Sequence, residues 1–492
     1  MSTSTASPAT QPAPVSGPAN SPVTSVASGA ASGAVAGVAG GLVFGASMAA
    51  FGMLTTVASI VHTSSALVGF VVHMLFAVVI GAGFGVFVIR QRVRVCDTVF
   101  WGLIYGAFWW FLGPQTLLPL LRGQPVSWNL PAAQALLPSL IGHLCYGLTV
   151  AAVFVLLRRE PGVARTATVA GPVVRSVVAG VAVAVAVRLV AGGMVGAWGE
   201  WLLIGGLAGA GYPLVFTAQR ETTGPALARG TVYGFLLWVV IGLTVQPLLR
   251  TGQLGWSQRS AAVLAGQLPG YLLLGAGLAV VFTWLGALAH GLFTDDIRMF
   301  HTEPPGARGL RATGYGVLAG LVGGLVFTVV MVLVGELPTV ARIVGSQAPA
   351  VGLILHLIIA MIIGVSYAVL FRRCSFDLLS GIGWGVSYGF FWWVLGDLTL
   401  LPALSGGTIR WDAAAIAAGF PSLVGHLGYG AALGAVYYQL EIRTNPWWMT
   451  RSEVETARAE TRRDHALGAA PALWVLVVLI ALTLPVLTSP PP

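Results

Sequence analysis

The chain has 492 residues, of which 56% are hydrophobic and 8% are charged, and its mean hydropathy is +0.86. Soluble proteins carry about 25% charged residues, so this composition excludes a water-soluble globular protein. The net charge of +9 comes from arginines at the ends of apolar segments. We attribute that charge to membrane topology, and we expect the lipid bilayer as a partner and no nucleic acid.

Apolar segments follow one another along nearly the whole chain. Residues 1–33 come first, without a charge and rich in Ser, Ala, Thr and Pro, and they predict a disordered cytosolic tail. Thirteen segments of about twenty residues or more come next, each long enough to cross a bilayer as a helix. The fold class that we predict is an all-α polytopic membrane protein. The predicted spans are 34–61, 66–89, 98–121, 133–157, 176–198, 201–219, 230–249, 261–288, 312–335, 349–371, 378–404, 413–440 and 468–488.

The arginines indicate how the chain is oriented. If the N-terminus is cytoplasmic, the inner loops hold 19 of the 25 arginines and the outer loops hold 5. An excess of arginine in short loops marks the cytoplasmic side. The use of arginine without lysine also suggests a GC-rich bacterial genome. We therefore predict a multi-pass protein of the bacterial plasma membrane, with a cytoplasmic N-terminus and an extracytoplasmic C-terminus.

The chain contains an internal repeat. Residues 34–159 align without a gap with residues 317–442 at a constant offset of 283, and a diverged copy aligns at an offset of 128. Four spans per copy is an even number, so the copies share one orientation. We predict three parallel four-helix repeats and a separate final helix. The predicted parts are unit one (34–159), unit two (176–288), unit three (312–441), a cytosolic linker helix (442–467) and a C-terminal transmembrane helix (468–488).

Glycine and proline pattern the helices of each unit. In the first helix, glycines recur every four residues from Gly33 to Gly45, which predicts close helix packing in lipid. The third helix carries Gly and Pro in its outer half, which predicts a kink or a break. Ser387 lies in a Gly-x-Ser-x-Gly sequence, but that motif needs a strand before it. No catalytic residue is therefore assigned, and an enzyme is the less favoured class.

Four membrane histidines are the main site candidates. His73 and His143 of unit one align with His356 and His426 of unit three. Two imidazoles at similar depth in one bundle are able to ligate haem iron. The alternatives are hydrogen bonds between packed helices and a proton relay. Haem is thus one candidate cofactor, and whether another metal binds is left open.

Charged residues within or beside the spans form a second group. Arg188 and Asp397 lie inside predicted spans, where a charge indicates function by default, and they are candidates to pair with each other. Glu200 and Glu336 lie at span ends, and we expect them to be solvated.

The unit resembles a family of small bacterial four-helix membrane proteins with a Gly-His-Leu-x-Tyr-Gly motif, a family of unknown function. The motif occurs here at Gly142–Gly147 and at Gly425–Gly430. No activity follows from that resemblance. Because packing residues dominate the chain, we predict a structural or accessory subunit of a membrane complex, with other membrane subunits as partners. The alternatives are a channel or transporter and a haem-binding electron-transfer protein.

Overall fold

The structure is a computed structural model that describes residues 26–89, 95–158, 170–216, 222–293, 305–372, 374–443 and 470–490, with isolated residues between 452 and 460. All regular secondary structure in these ranges is helical, which confirms the all-α class. Eleven of the helices are long and apolar enough to cross a membrane. The chain is therefore a multi-pass membrane protein.

The long helices are described in chain order and are grouped by the predicted units. We number them α1 to α13 across the described ranges. All except α6 and α12 belong to the eleven helices that are long and apolar enough to cross a membrane. They are α1 Val26–Ala50, α2 Ala66–Val88, α3 Val95–Leu121, α4 Leu137–Leu157, α5 Ala170–Ala191, α6 Trp198–Val215, α7 Thr223–Thr251, α8 Leu268–Phe293, α9 Pro305–Val334, α10 Pro349–Phe371, α11 Leu378–Leu404, α12 Phe420–Arg443 and α13 Ala470–Thr488.

Each unit packs its four helices in the same order. In unit one, α1 packs against both α2 and α4, and α4 also packs against α3. The corresponding pairs pack together in units two and three. Glycines allow the closest approaches: a Cβ on Gly147 would lie 2.0 Å from the carbonyl oxygen of Gly102 on α3. Such contacts bring backbones together in lipid, where van der Waals packing drives helix association.

The first helix of unit one differs from its prediction at both ends. It begins at Val26, so the last residues of the predicted disordered tail are helical. The reason is that the four-residue glycine spacing extends upstream: Gly29 is buried against Gly85 of α2. The helix ends at Ala50 and not at residue 61. Gly52 has a φ of +67°, a left-handed conformation that ends the helix.

The third helix of each unit has a π-helical segment where we predicted a kink or a break. It remains helical along its length, but its C-terminal half becomes π-helical at Gly113–Leu117, Trp238–Val245 and Trp393–Leu400. A threonine hydroxyl donates to the carbonyl five residues earlier in all three, from Thr116, Thr244 and Thr399. π-Helical turns inside α-helices are frequent at functional sites.

The predicted fourth spans are each divided in two. A short helix precedes α4, α8 and α12, at Leu130–Ala135, Gln258–Leu264 and Ala413–Ala418. In each case a proline follows shortly, at Pro138, Pro269 or Pro421. Proline fixes its own φ and cannot donate a backbone hydrogen bond, so it starts a new helix.

The last helix is central and not separate as predicted. α13 contacts the third helix of every unit, and it also contacts the three short helices that precede α4, α8 and α12. Gln134 and Gln258 donate to the Ser489 carbonyl at its end, at 3.1 and 3.0 Å. α13 therefore ties the three units together.

Two predictions concern residues that lie largely outside the described ranges. They are the linker helix at 442–467 and the placement of most arginines in the predicted inner loops.

Candidate functional site

The two histidines of unit one share a phenylalanine neighbour. His73 Nε2 donates to the Gly41 carbonyl on α1 at 3.0 Å, and His143 Nδ1 donates to the Ser139 carbonyl at 2.8 Å. The Phe44 ring packs against both imidazoles, with centroid distances of 5.3 and 4.6 Å. The imidazoles are thus neighbours of one ring, and each already has a backbone partner.

Unit three repeats this arrangement. His356 Nε2 donates to the Gly324 carbonyl at 3.0 Å, and His426 Nδ1 donates to the Ser422 carbonyl at 2.9 Å. Phe327 packs against both imidazoles at 5.2 and 4.6 Å. A haem plane between the two imidazoles would have to displace this phenyl ring. The donor set therefore fits haem poorly in either unit.

Unit two replaces the histidine pair with larger rings. Trp201, at the position of His73, donates from Nε1 to the Ala184 carbonyl on α5 at 2.9 Å. The rings of Trp201 and Tyr271 are in direct contact, with centroids 5.3 Å apart. Both side chains are buried to about 1% exposure or less. This pair fills the space between the second and fourth helices.

Unit three contains a cavity of about 270 Å³ beside its histidine pair. Both histidines, His356 and His426, lie on its wall, together with the shared Phe327. The remaining lining residues are mostly apolar or aromatic. They include Met331, Val340, Ile343, Ile359, Ile363, Trp392, Leu400, Leu401, Leu404 and Tyr429.

Two carboxylates also line this cavity. Asp397 comes from the π-helical part of α11, and Glu336 comes from the turn that follows α9. Asp397 lies close to Glu336 and to the Ser422 hydroxyl, which is 3.3 Å from His426 Nδ1. Glu336 is half-buried, so the expectation that it is solvated was wrong. Burial raises the pKa of Glu336.

The carboxylates are particular to unit three. Unit one has Met53 at the position of Glu336 and Pro114 at the position of Asp397. Sequence reasoning found Asp397 because it lies inside a span, but it missed Glu336. The aligned repeat contains a signal for Glu336, because unit three has an acidic residue at a position where unit one has an apolar residue.

The other charged candidates lie in unit two. Arg188 does not approach Asp397; its guanidinium lies over the Trp198 ring, 5.0 Å from the centroid. Glu200 accepts from Arg250 at 2.6 Å and from Gln246 at 2.8 Å. Glu200 is thus neutralised by an ion pair, and it is not merely solvated as expected.

Two further chemistries find no support in the described residues. No three His, Cys, Asp or Glu side chains in the described ranges converge closely enough to hold one metal ion. Ser387 is buried inside α11, and its hydroxyl donates to the Gly383 carbonyl at 2.9 Å. That is a helix-interior hydrogen bond, and it differs from the strained turn of a nucleophilic serine.

No protein family model, curated protein or solved structure matches the chain. The functional assignment therefore depends on the cavity and on the residues that line it.

Proposed function

We propose that this chain binds a small ligand within the membrane, in the cavity of unit three, and that it acts as a channel or transporter. The sequence alone favours a structural or accessory subunit of a membrane complex, and the cavity is the reason that we prefer its first alternative. The observation that carries the proposal is the pair of carboxylates, Asp397 and Glu336, on the wall of a membrane cavity. Ionisable groups are costly in a bilayer and commonly mark a substrate or ion pathway.

The proposed architecture is three parallel units around α13. Hydrogen bonds at equivalent positions support it: Trp110, Trp238 and Trp393 each donate from Nε1 to a carbonyl 26 residues later, at 3.1, 3.0 and 2.9 Å. In this proposal all thirteen long helices span the membrane, including α6 and α12. A haem-binding role is not proposed, because Phe44 and Phe327 occupy the space that the ligated haem would need.

The proposed topology sets the side from which the ligand enters. The N-terminus is cytoplasmic and the C-terminus extracytoplasmic, in a bacterial plasma membrane, and the arginine distribution supports this orientation. Glu336 then lies at the outer end of unit three, so the cavity opens outward. A periplasmic reporter fused after Pro492 should be active, and the same reporter fused after Arg159 should be silent.

A cysteine placed in the cavity tests whether small molecules enter it. Gly396 lines the cavity, and a Cβ there would meet only Trp392, at 3.4 Å, so Gly396→Cys should fold. The equivalent position in unit one is Gly113, which gives the matched control Gly113→Cys. Both are made in a chain whose native cysteines, Cys96, Cys145 and Cys374, are changed to alanine.

The reagent is a neutral methyl thiosulfonate added outside right-side-out vesicles. We expect Gly396→Cys to react about tenfold faster than Gly113→Cys, because Gly396 lies on the wall of the cavity in which we place the ligand. Equal rates at the two cysteines, with both reactive after denaturation, would refute the proposed site.

A further inference from the structure

We infer that the ligand of the unit-three cavity is a small organic monocation of the amine or quaternary ammonium type. The inference rests on the proposed function and adds the chemical class of the ligand to it. It depends on the charge of the cavity, on the chemistry of its wall and on its volume.

The charge of the cavity selects a cation. Asp397 and Glu336 both line it, and neither has an arginine within 4.0 Å among the described residues. Two carboxylates close together repel one another in a medium of low dielectric constant. A cation between them relieves that repulsion. In unit two the carboxylate of Glu200 has its cation within the protein, since Arg250 pairs with it.

The wall selects an organic cation over an inorganic one. Calcium or sodium would need a shell of several oxygen ligands, whereas most of this wall is apolar. Phe327, Trp392 and Tyr429 present aromatic rings to the cavity. Aromatic faces attract ammonium groups and form the cages that bind quaternary ammonium ligands. The wall therefore suits a cation that carries alkyl groups.

Trp392 adds one polar group to this wall. Its indole Nε1 is buried and lies beside the Tyr388 hydroxyl. In unit one the equivalent Trp109 lies beside the Tyr105 hydroxyl in the same way. The carboxylates, and not the indole, therefore distinguish unit three.

The volume limits the ligand to a small molecule. Pockets for drug-sized ligands measure about 300–1,000 Å³, and this cavity of about 270 Å³ lies just below that range. A tetramethylammonium ion or a short alkylamine is of suitable size. Tetramethylammonium is the probe that we would use.

Charged thiol reagents at Gly396→Cys test the inference. A trimethylammonium-bearing thiosulfonate should react at least about tenfold faster than a sulfonate-bearing one, after correction for their rates with a free thiol, because like-signed clefts concentrate counter-ions by about 10–1,000-fold. Millimolar tetramethylammonium should slow the neutral reagent. Asp397→Asn and Glu336→Gln should each reduce the preference for the cationic reagent severalfold.

The matched control is Asp412→Asn. Asp412 carries the same charge on the outer face of unit three, but it caps the short helix Ala413–Ala418, and asparagine caps equally well. In the Asp412→Asn variant, the preference of Gly396→Cys for the cationic reagent should stay unchanged. If the neutral reagent enters but the two charged reagents react equally, the cation inference is wrong and the proposed site stands. If the neutral reagent also fails to enter, both are wrong.

Discussion

Units two and three place different side chains on the same helical frame. Unit two fills the space between its second and fourth helices with Trp201 and Tyr271, whose rings touch. Unit three has His356 and His426 there, and it keeps a cavity beside them. Packing is preserved in both units, because the Trp201 indole and the His356 imidazole each donate to a carbonyl of the first helix. The ring size at these two positions therefore distinguishes unit two from unit three.

Units two and three also differ in how their carboxylates are paired. Glu200 of unit two has an arginine partner within the protein, whereas the carboxylates of unit three face a cavity. A buried charge without a partner costs several kcal/mol. Retention of such charges is expected where an external group supplies the partner. Unit two thus supplies its own partner charge, and in the proposed function the ligand supplies that partner in unit three.

The largest effect should come from making unit three resemble unit two. His426→Tyr introduces the ring that unit two has at Tyr271, and this ring should fill the cavity next to Phe327. We expect the protection of Gly396→Cys by tetramethylammonium to fall at least about tenfold, equivalent to about 1.4 kcal/mol of binding.

The control for that substitution is His143→Tyr in unit one. It changes the equivalent imidazole beside Phe44, away from the carboxylates, and should leave the protection unchanged. Thermal unfolding of both variants in detergent checks that each one folds. If His426→Tyr leaves the protection intact in a folded protein, ring size does not separate the two units.

Acidic pH should give a smaller effect. Burial raises the pKa of Glu336, so this carboxyl takes up its proton at a higher pH than an exposed glutamate, which titrates near about 4.3. A protonated Glu336 no longer attracts a cation. We therefore expect tetramethylammonium protection to weaken severalfold as the pH falls, and to do so at a higher pH than that at which exposed carboxyls titrate.

The variant Glu336→Gln shows how much of the pH dependence is due to the titration of Glu336. Asp397, His356 and His426 also face the cavity, and they remain in the variant. The variant should bind the cation more weakly at neutral pH and should show a flatter pH profile, while Asp412→Asn should follow the parent. An identical profile for Glu336→Gln and the parent would assign the titration to another group.

Some of this structure follows from the sequence, and some depends on distant contacts. Apolar length alone predicts helices in a membrane, and the glycine spacing of the first helix anticipates the close contact of Gly33 with Gly81 on α2. The π-helical turns escaped prediction, because they depend on threonine hydroxyls that satisfy carbonyls five residues back. Contacts between remote parts of the chain also carry no local signal. In the sequence α13 looks like any other apolar span. Its central position follows only from its contacts with the third helix of each of the three units.

The candidate site shows the same limit. The aligned histidines were visible as candidates, but the packing of Phe327 against both rings needs the folded helices. Asp397 was visible because a charge inside a span is rare. The expectation for Glu336 was wrong, because a residue at the end of a span looks exposed in the sequence and becomes half-buried only when the short helix Leu337–Ala341 folds beside it.

The smallest effects concern three equivalent tryptophans that differ in burial. Trp411 is 1% exposed, Trp256 is 4% exposed and Trp128 is 64% exposed. Trp411 donates to the Leu398 carbonyl and packs against Gly270 of unit two, so Trp411→Phe removes a buried hydrogen bond and contacts between units. We expect a loss of about 1–2 kcal/mol in the free energy of unfolding. Trp256→Phe, which loses a bond to Thr244, should cost about 1 kcal/mol, and Trp128→Phe should stay within about 0.5 kcal/mol. Thermal unfolding of the three variants in one detergent orders them, and equal shifts would mean that unit one is enclosed as fully as units two and three.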